Sequence, residues 1–107
     1  MALYLKNKKK IETIFEKGFT IKADGLLFKG YDFKDDEIKY GVSVSKKLFP
    51  LAVDRNLIKR RVKEQAKSVK LAEFIAKGVS FFLIYTSKQV LNSNEIKRRI
   101  ESLSQKL

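Results

Sequence analysis

One hundred and seven residues make one small domain, with room for a single core and none for a separate catalytic unit. Lysine and arginine number 24 against 12 acids, a net charge of +12 that points to a polyanionic partner, and a hydrophobic content of 44% sets the chain apart from disordered sequences. The chain has no cysteine and no histidine. That excludes a disulfide framework, a thiolate nucleophile and a zinc ribbon, and it removes the commonest general base and metal ligand.

The first residues, Met1-Ala2-Leu3-Tyr4-Leu5, are too short for the apolar stretch of a secretory leader, and the basic run Lys8-Lys9-Lys10 follows them rather than precedes them. Five glycines and one proline supply no linker, so residues 1–107 read as one unit. Ile11, Ile14 and Phe15 recur at helical spacing and predict a helix over 7–17, capped by Asn7 and stopped by Gly18. Residues 20–33 read as extended, with a break near Asp24-Gly25; Leu27, Tyr31 and Phe33 share a parity with Lys29 between them. Asp35-Asp36-Glu37 reads as part of a polar turn, since a cation cage needs spaced oxygens. Ile38, Tyr40, Val42 and Val44 alternate with polar or small residues and predict a strand.

Pro50 suits the first turn of a helix, which is predicted to begin between Pro50 and Asp54 and run to about Val69. A further helical stretch over 71–76 ends at Gly78. Residues 79–86 form a continuous apolar run, predicted to be a central buried strand with Phe81 and Phe82 in the core. A membrane span needs ~20 apolar residues; the longest run here is Phe81-Phe82-Leu83-Ile84-Tyr85, so the chain reads as soluble and cytoplasmic. Asn92 and Glu95 form a capping box for a last helix that turns Ile96, Ile100 and Leu103 inward. The order α-β-β-α-β-α predicts an α+β domain, with helices packed on a small sheet.

The helix over 55–70 carries Arg55, Lys59, Arg60, Arg61, Lys63, Lys67 and Lys70 against the single acid Glu64, half of the net charge. With Arg55 at zero and ~100° per residue, Lys59, Lys70, Lys63 and Lys67 fall at about 40°, 60°, 80° and 120°. Asn56 and Arg60 fall at about 100° and 140°. Ile58, Val69, Val62 and Ala66 cluster between about 300° and 20°, while Leu57 and Arg61 lie apart near 200° and 240°. Ordinary solvated faces mix signs, because like charges at i, i+4 repel. The unbroken row Arg55, Lys59, Lys63, Lys67 therefore points to a polyanion. The apolar face lacks the Trp, Phe and Leu that a membrane-surface helix needs. Asn56 can reach a sugar hydroxyl or a base edge, and Ser43-Val44-Ser45-Lys46-Lys47 brings cations and hydroxyls to the start of the same helix.

Ser43-Val44-Ser45-Lys46-Lys47, followed after a short loop by Ala52-Val53-Asp54-Arg55-Asn56-Leu57-Ile58-Lys59-Arg60, resembles the signature of the bacterial ribonuclease P protein subunit. The leading helix with its F-x-x-G end at Phe15 and Gly18 fits the same pattern, and the resemblance covers roughly residues 4–103. It implies a left-handed β-α-β crossover around the basic helix, where the general rule favours the right-handed form. It also implies that catalysis belongs to a large partner RNA using Mg²⁺ held mainly by RNA and substrate. The protein then binds that catalytic RNA and the 5′ leader of precursor tRNA, with neither membrane nor DNA as partner. On this resemblance Lys46, Lys47, Arg55, Asn56, Lys59, Arg60 and Lys63 contact RNA, with Arg61 and Lys67 adding charge, and Phe15, Ile11 and Tyr31 line a leader cleft. Leu57 stands where the family has a second arginine, Ile11 where many members have phenylalanine, and the loop Leu48-Phe49-Pro50-Leu51 is more apolar than usual.

Two other functions compete. A ribosomal or chaperone-type RNA-binding protein suits the charge and fold class but leaves the joint motif as coincidence. A protein-only nuclease would need an Asp/Glu metal cluster, and the sequence offers no convincing one.

Overall fold

The structure is a computed structural model and describes residues 3–5 and 7–107. Met1 and Ala2, from the segment expected to form no secretory leader, and Lys6 lie outside the described residues. A short strand β1 (Leu3–Tyr4) leads into α1 (Lys8–Lys17), and the Asn7 side chain accepts hydrogen bonds from the Lys9 and Lys10 amides, as the cap reading expects. The extended stretch is two strands rather than one. β2 (Phe19–Ala23) and β3 (Leu26–Asp32) form an antiparallel hairpin that turns at Asp24-Gly25. Gly25 has φ +76°, a value a side chain resists, and its carbonyl accepts from the Thr86 and Ser87 amides.

β4 (Lys39–Val44), α2 (Ala52–Ser68) and β5 (Val79–Tyr85) follow, then α3 (Ser93–Lys106) under a complete Asn92–Glu95 capping box. The described order is thus β-α-β-β-β-α-β-α, an α+β arrangement with more strands than the periodicity predicts. The helix after Pro50 does not run on through residue 76. Lys70 adopts the left-handed conformation (φ 58°, ψ 46°), and only a 3-10 turn, Leu71–Phe74, comes after it. For a residue with a Cβ that conformation costs about 1 kcal/mol or more.

The five strands order as β1-β4-β5-β3-β2, so β5 lies at the centre. β4 runs parallel to both β1 and β5, β2–β3 and β3–β5 are antiparallel, and α2 is the crossover between β4 and β5. One face of the sheet carries the core: Leu26, Phe28, Val42, Phe81 and Leu83 meet Ile58 and Val62 of α2 and Ile96, Ile100 and Leu103 of α3. Ile58, Val62, Ile100 and Leu103 are completely buried, each worth about 1.5–3 kcal/mol of transfer free energy. An aromatic row crosses four strands on this face, with ring centroids 5.3 Å apart for Tyr40–Phe81, 4.7 Å for Phe81–Phe28 and 5.8 Å for Phe28–Phe19.

The opposite face carries Leu27, Lys29, Tyr31, Gly41, Ser43, Phe82 and Ile84, and α1 lies across it. Phe81 and Phe82, both expected in the core, therefore part company. Phe81 is buried, whereas Phe82 points to the α1 side and is half-exposed. The strand is central, as the continuous apolar run predicts, but its two faces differ.

Candidate nucleic-acid interface

α2 presents its cations as the helical spacing predicts. Ile58, Val62 and Ala66 face the core, and Asn56, Arg60 and Lys67 are exposed on the far side, with Lys59 and Lys63 half-buried between. Among the described residues no ion pair engages Lys46, Lys47, Lys59, Arg60 or Lys67. Lys46, Lys47, Lys59, Arg60 and Lys67 thus present charge of one sign, a standing field for polyphosphate.

The approach to α2 is a compact turn. The Ser45 hydroxyl accepts from the amides of Lys47 (3.1 Å) and Leu48 (3.4 Å), and the Phe49 amide donates to the Ser45 carbonyl. Lys46 and Lys47 project from this turn into solvent. Phe49 anchors it: the ring is buried and sits 5.8 Å from Tyr85. This explains the apolar loop, since Phe49 plugs into the core while Leu48 and Leu51 stay exposed.

Two of the arginines hold protein carbonyls. Arg55 Nη1 donates to the Phe49 carbonyl (2.8 Å) and the Pro50 carbonyl (2.9 Å), fastening the loop to the first turn of α2. Arg61 Nη1 donates to the Leu91 carbonyl (2.9 Å), tying α2 to the segment before α3 and away from the basic stripe. Leu57 is half-buried and off the stripe.

The second half of the site lies between α1 and the sheet. Phe15 is 40% exposed, with its ring 5.3 Å from Phe82 and the Lys29 ammonium 5.9 Å from its centroid. Ile11 is half-buried one turn earlier. Tyr31 packs on Phe33 (4.9 Å between centroids) rather than on Phe15. Gly41 makes room for the floor: a Cβ there would stand 2.5 Å from Phe82 Cε1. The groove thus joins an exposed aromatic, a second ring and a cation, the combination that stacks single-stranded bases and holds their phosphates.

Periodicity alone did not single out Lys29, Gly41 and Phe82. Lys29 alone carried a local signal, a cation on an otherwise apolar parity; Phe82 and Gly41 join it only through strand register, which the structure supplies.

α1 is pinned over the groove by Lys10, whose ammonium is 2.7 Å from Asp35 and 4.9 Å above the Phe33 ring. The hydrogen bond from Lys10, helped by the Glu37 amide, holds the Asp35 carboxyl below its usual value of 3.8. Asp35 therefore serves as an α1 anchor in the turn, and no group of three or more acids is gathered for a metal among the described residues. Nor is any helix among them long and apolar enough to cross a membrane.

Comparison with known proteins fits this geometry. The model of the Ribonuclease P family matches residues 2–107. The solved structure of the RNase P protein of Staphylococcus aureus is 26% identical, with a TM-score of 0.80 over 98% of this chain and 94% of that one. The RNase P protein of Thermotoga maritima shares the fold at 20% identity, with a TM-score of 0.80 over 97% and 96% of the two chains. The same Thermotoga protein in complex with 1-(4-fluorophenyl)-2-thiourea gives a TM-score of 0.79 at 20% identity, over 96% and 98%. Among curated proteins none matches the sequence.

Proposed function

The chain belongs to the ribonuclease P protein family and is a protein subunit of that ribonucleoprotein, and from this premise we propose that α2 binds the catalytic RNA while the groove under α1 receives the 5′ leader of precursor tRNA. The observation that carries the proposal is the one-signed face of α2, where Lys59, Arg60 and Lys67 form no ion pair among the described residues, beside the Lys46-Lys47 turn on a domain of net charge +12. Arg60, Lys59, Lys63 and Lys67 contact RNA phosphates, and Asn56 supplies a donor and an acceptor for a sugar or base edge. Arg55 shapes the Lys46-Lys47 loop and leaves the rest of its guanidinium for phosphate.

In the groove, a leader base stacks on Phe15, backed by Phe82, and Lys29 meets its phosphate. Mg²⁺ held by RNA and substrate phosphates supplies the metal chemistry of phosphodiester hydrolysis. The residues of this chain bind, orient and neutralise charge, in the cytoplasm where precursor tRNA is made. Among the described residues no group of three or more acids could hold a metal, and Asp35 is committed to Lys10.

Phe15→Ala tests the groove. Affinity for precursor tRNA is expected to fall about five- to tenfold, the lower end of the ~1–3 kcal/mol of one stacked base, with mature tRNA unaffected, when both are titrated at matched salt. Equal losses for the two RNAs would make Phe15 a packing residue only.

A further inference from the structure

A cavity of about 450 Å³ opens at the C-terminal end of α2, on the sheet face opposite the α1 groove. Its floor is apolar and aromatic: Tyr40 and Phe81, stacked at 5.3 Å and 14°, with Leu71 beside them. Its exposed lining residues are Lys67, Lys70 and Glu73. Lys67 continues the stripe of α2, Lys70 follows just past the end of that helix, and among the described residues neither Lys67 nor Lys70 forms an ion pair. Among the described residues Lys70 is one of two non-glycine residues with positive φ, so a strained backbone sets a cation beside this cavity.

We propose that this cavity captures one unstacked nucleotide of an RNA strand running along α2. The base enters over the Tyr40–Phe81 floor, its flanking phosphates meet Lys67 and Lys70, and Glu73 accepts a hydrogen bond from a base N–H. Charge complementarity selects this occupant. An acidic peptide would meet the lysines but be repelled by Glu73, whereas a base brings donors to that carboxylate. The site is distinct from the leader groove, and the inference rests on the reading of α2 as an RNA-binding face.

The test uses the full chain. Methyl NMR spectra are titrated with adenosine 5′-monophosphate and, separately, with inorganic phosphate. The nucleotide is expected to shift the Ile38 and Leu71 methyl signals, and phosphate alone to leave them in place. In parallel, affinity for single-stranded hexaadenylate is measured for Lys70→Gly, which keeps the left-handed turn in its favoured residue and therefore folds. Lys70→Gly is expected to bind more weakly, with a salt slope shallower by about one phosphate contact, while Lys88→Ala, which removes a cation elsewhere, binds as the parent does. Unmoved Ile38 and Leu71 signals, or parental affinity in Lys70→Gly, overturn the proposal. So does a shift of those methyls by an acidic peptide but not by the nucleotide. Arg60→Ala, assayed on the catalytic RNA alongside, separates the two claims. A loss there with none in Lys70→Gly overturns the pocket alone, and no loss in Arg60→Ala overturns the reading of α2 beneath it.

Discussion

Arg55 and Arg60 stand five positions apart on one helix and hold different things. Arg60 is exposed and forms no ion pair among the described residues, whereas Arg55 donates to two loop carbonyls. Arg60→Ala is therefore expected to weaken binding to the catalytic RNA with little change in Tm. Arg55→Ala is expected to weaken binding and also to cost about 1–3 kcal/mol of stability, because charged hydrogen bonds to the part-buried Phe49 carbonyl and the exposed Pro50 carbonyl are lost. Thermal melts beside filter binding check this; an unchanged Tm for Arg55→Ala would contradict the anchoring role. Helical spacing placed both residues on or near the basic side but could not separate them. The acceptors of Arg55 come from a loop whose path depends on Phe49 entering the core, a tertiary fact. The same limit hid the role of Arg61, whose acceptor at Leu91 lies thirty residues away.

At the scale of elements, α1 is held by a contact at each end: Phe15 on Phe82 and Lys10 on Asp35. The Asp35 carboxyl is held below 3.8 in the folded protein. Its contribution is therefore fully present above that value and is lost as pH falls through the lowered folded value. Asp35→Asn is expected to lower Tm at neutral pH, and the difference from the parent should vanish in strong acid. A difference that stays constant with pH would mean the ion pair does not anchor α1. The helices were legible because caps and periodicity are local: Asn7, Asn92 and Glu95 announce themselves. The two faces of β5 were not, because a continuous apolar run hides which residue meets α2 and which meets α1. The hairpin at Gly25 was visible only as a break, since two strands and one bent strand share the same local pattern. The end of α2 was legible to within a residue, about Val69 against Ser68, but lysine at position 70 gives no hint of the left-handed turn that follows.

For the whole molecule the charge decides. A net +12 on 107 residues, concentrated on one helix and its preceding turn, makes RNA affinity a matter of counter-ion release. The logarithm of the affinity for the catalytic RNA is expected to fall linearly with the logarithm of salt concentration, with a shallower slope for Arg60→Ala by about one phosphate contact. A slope unchanged by removing Arg60 would place the RNA elsewhere. The central claim is tested most directly by cleavage. The protein is mixed with a bacterial ribonuclease P RNA and a 5′-extended precursor tRNA at low Mg²⁺, with each macromolecule omitted in turn. Cleavage at the mature 5′ end only when protein and RNA are both present is the predicted result. A protein that folds, binds that RNA and leaves cleavage unchanged would contradict it.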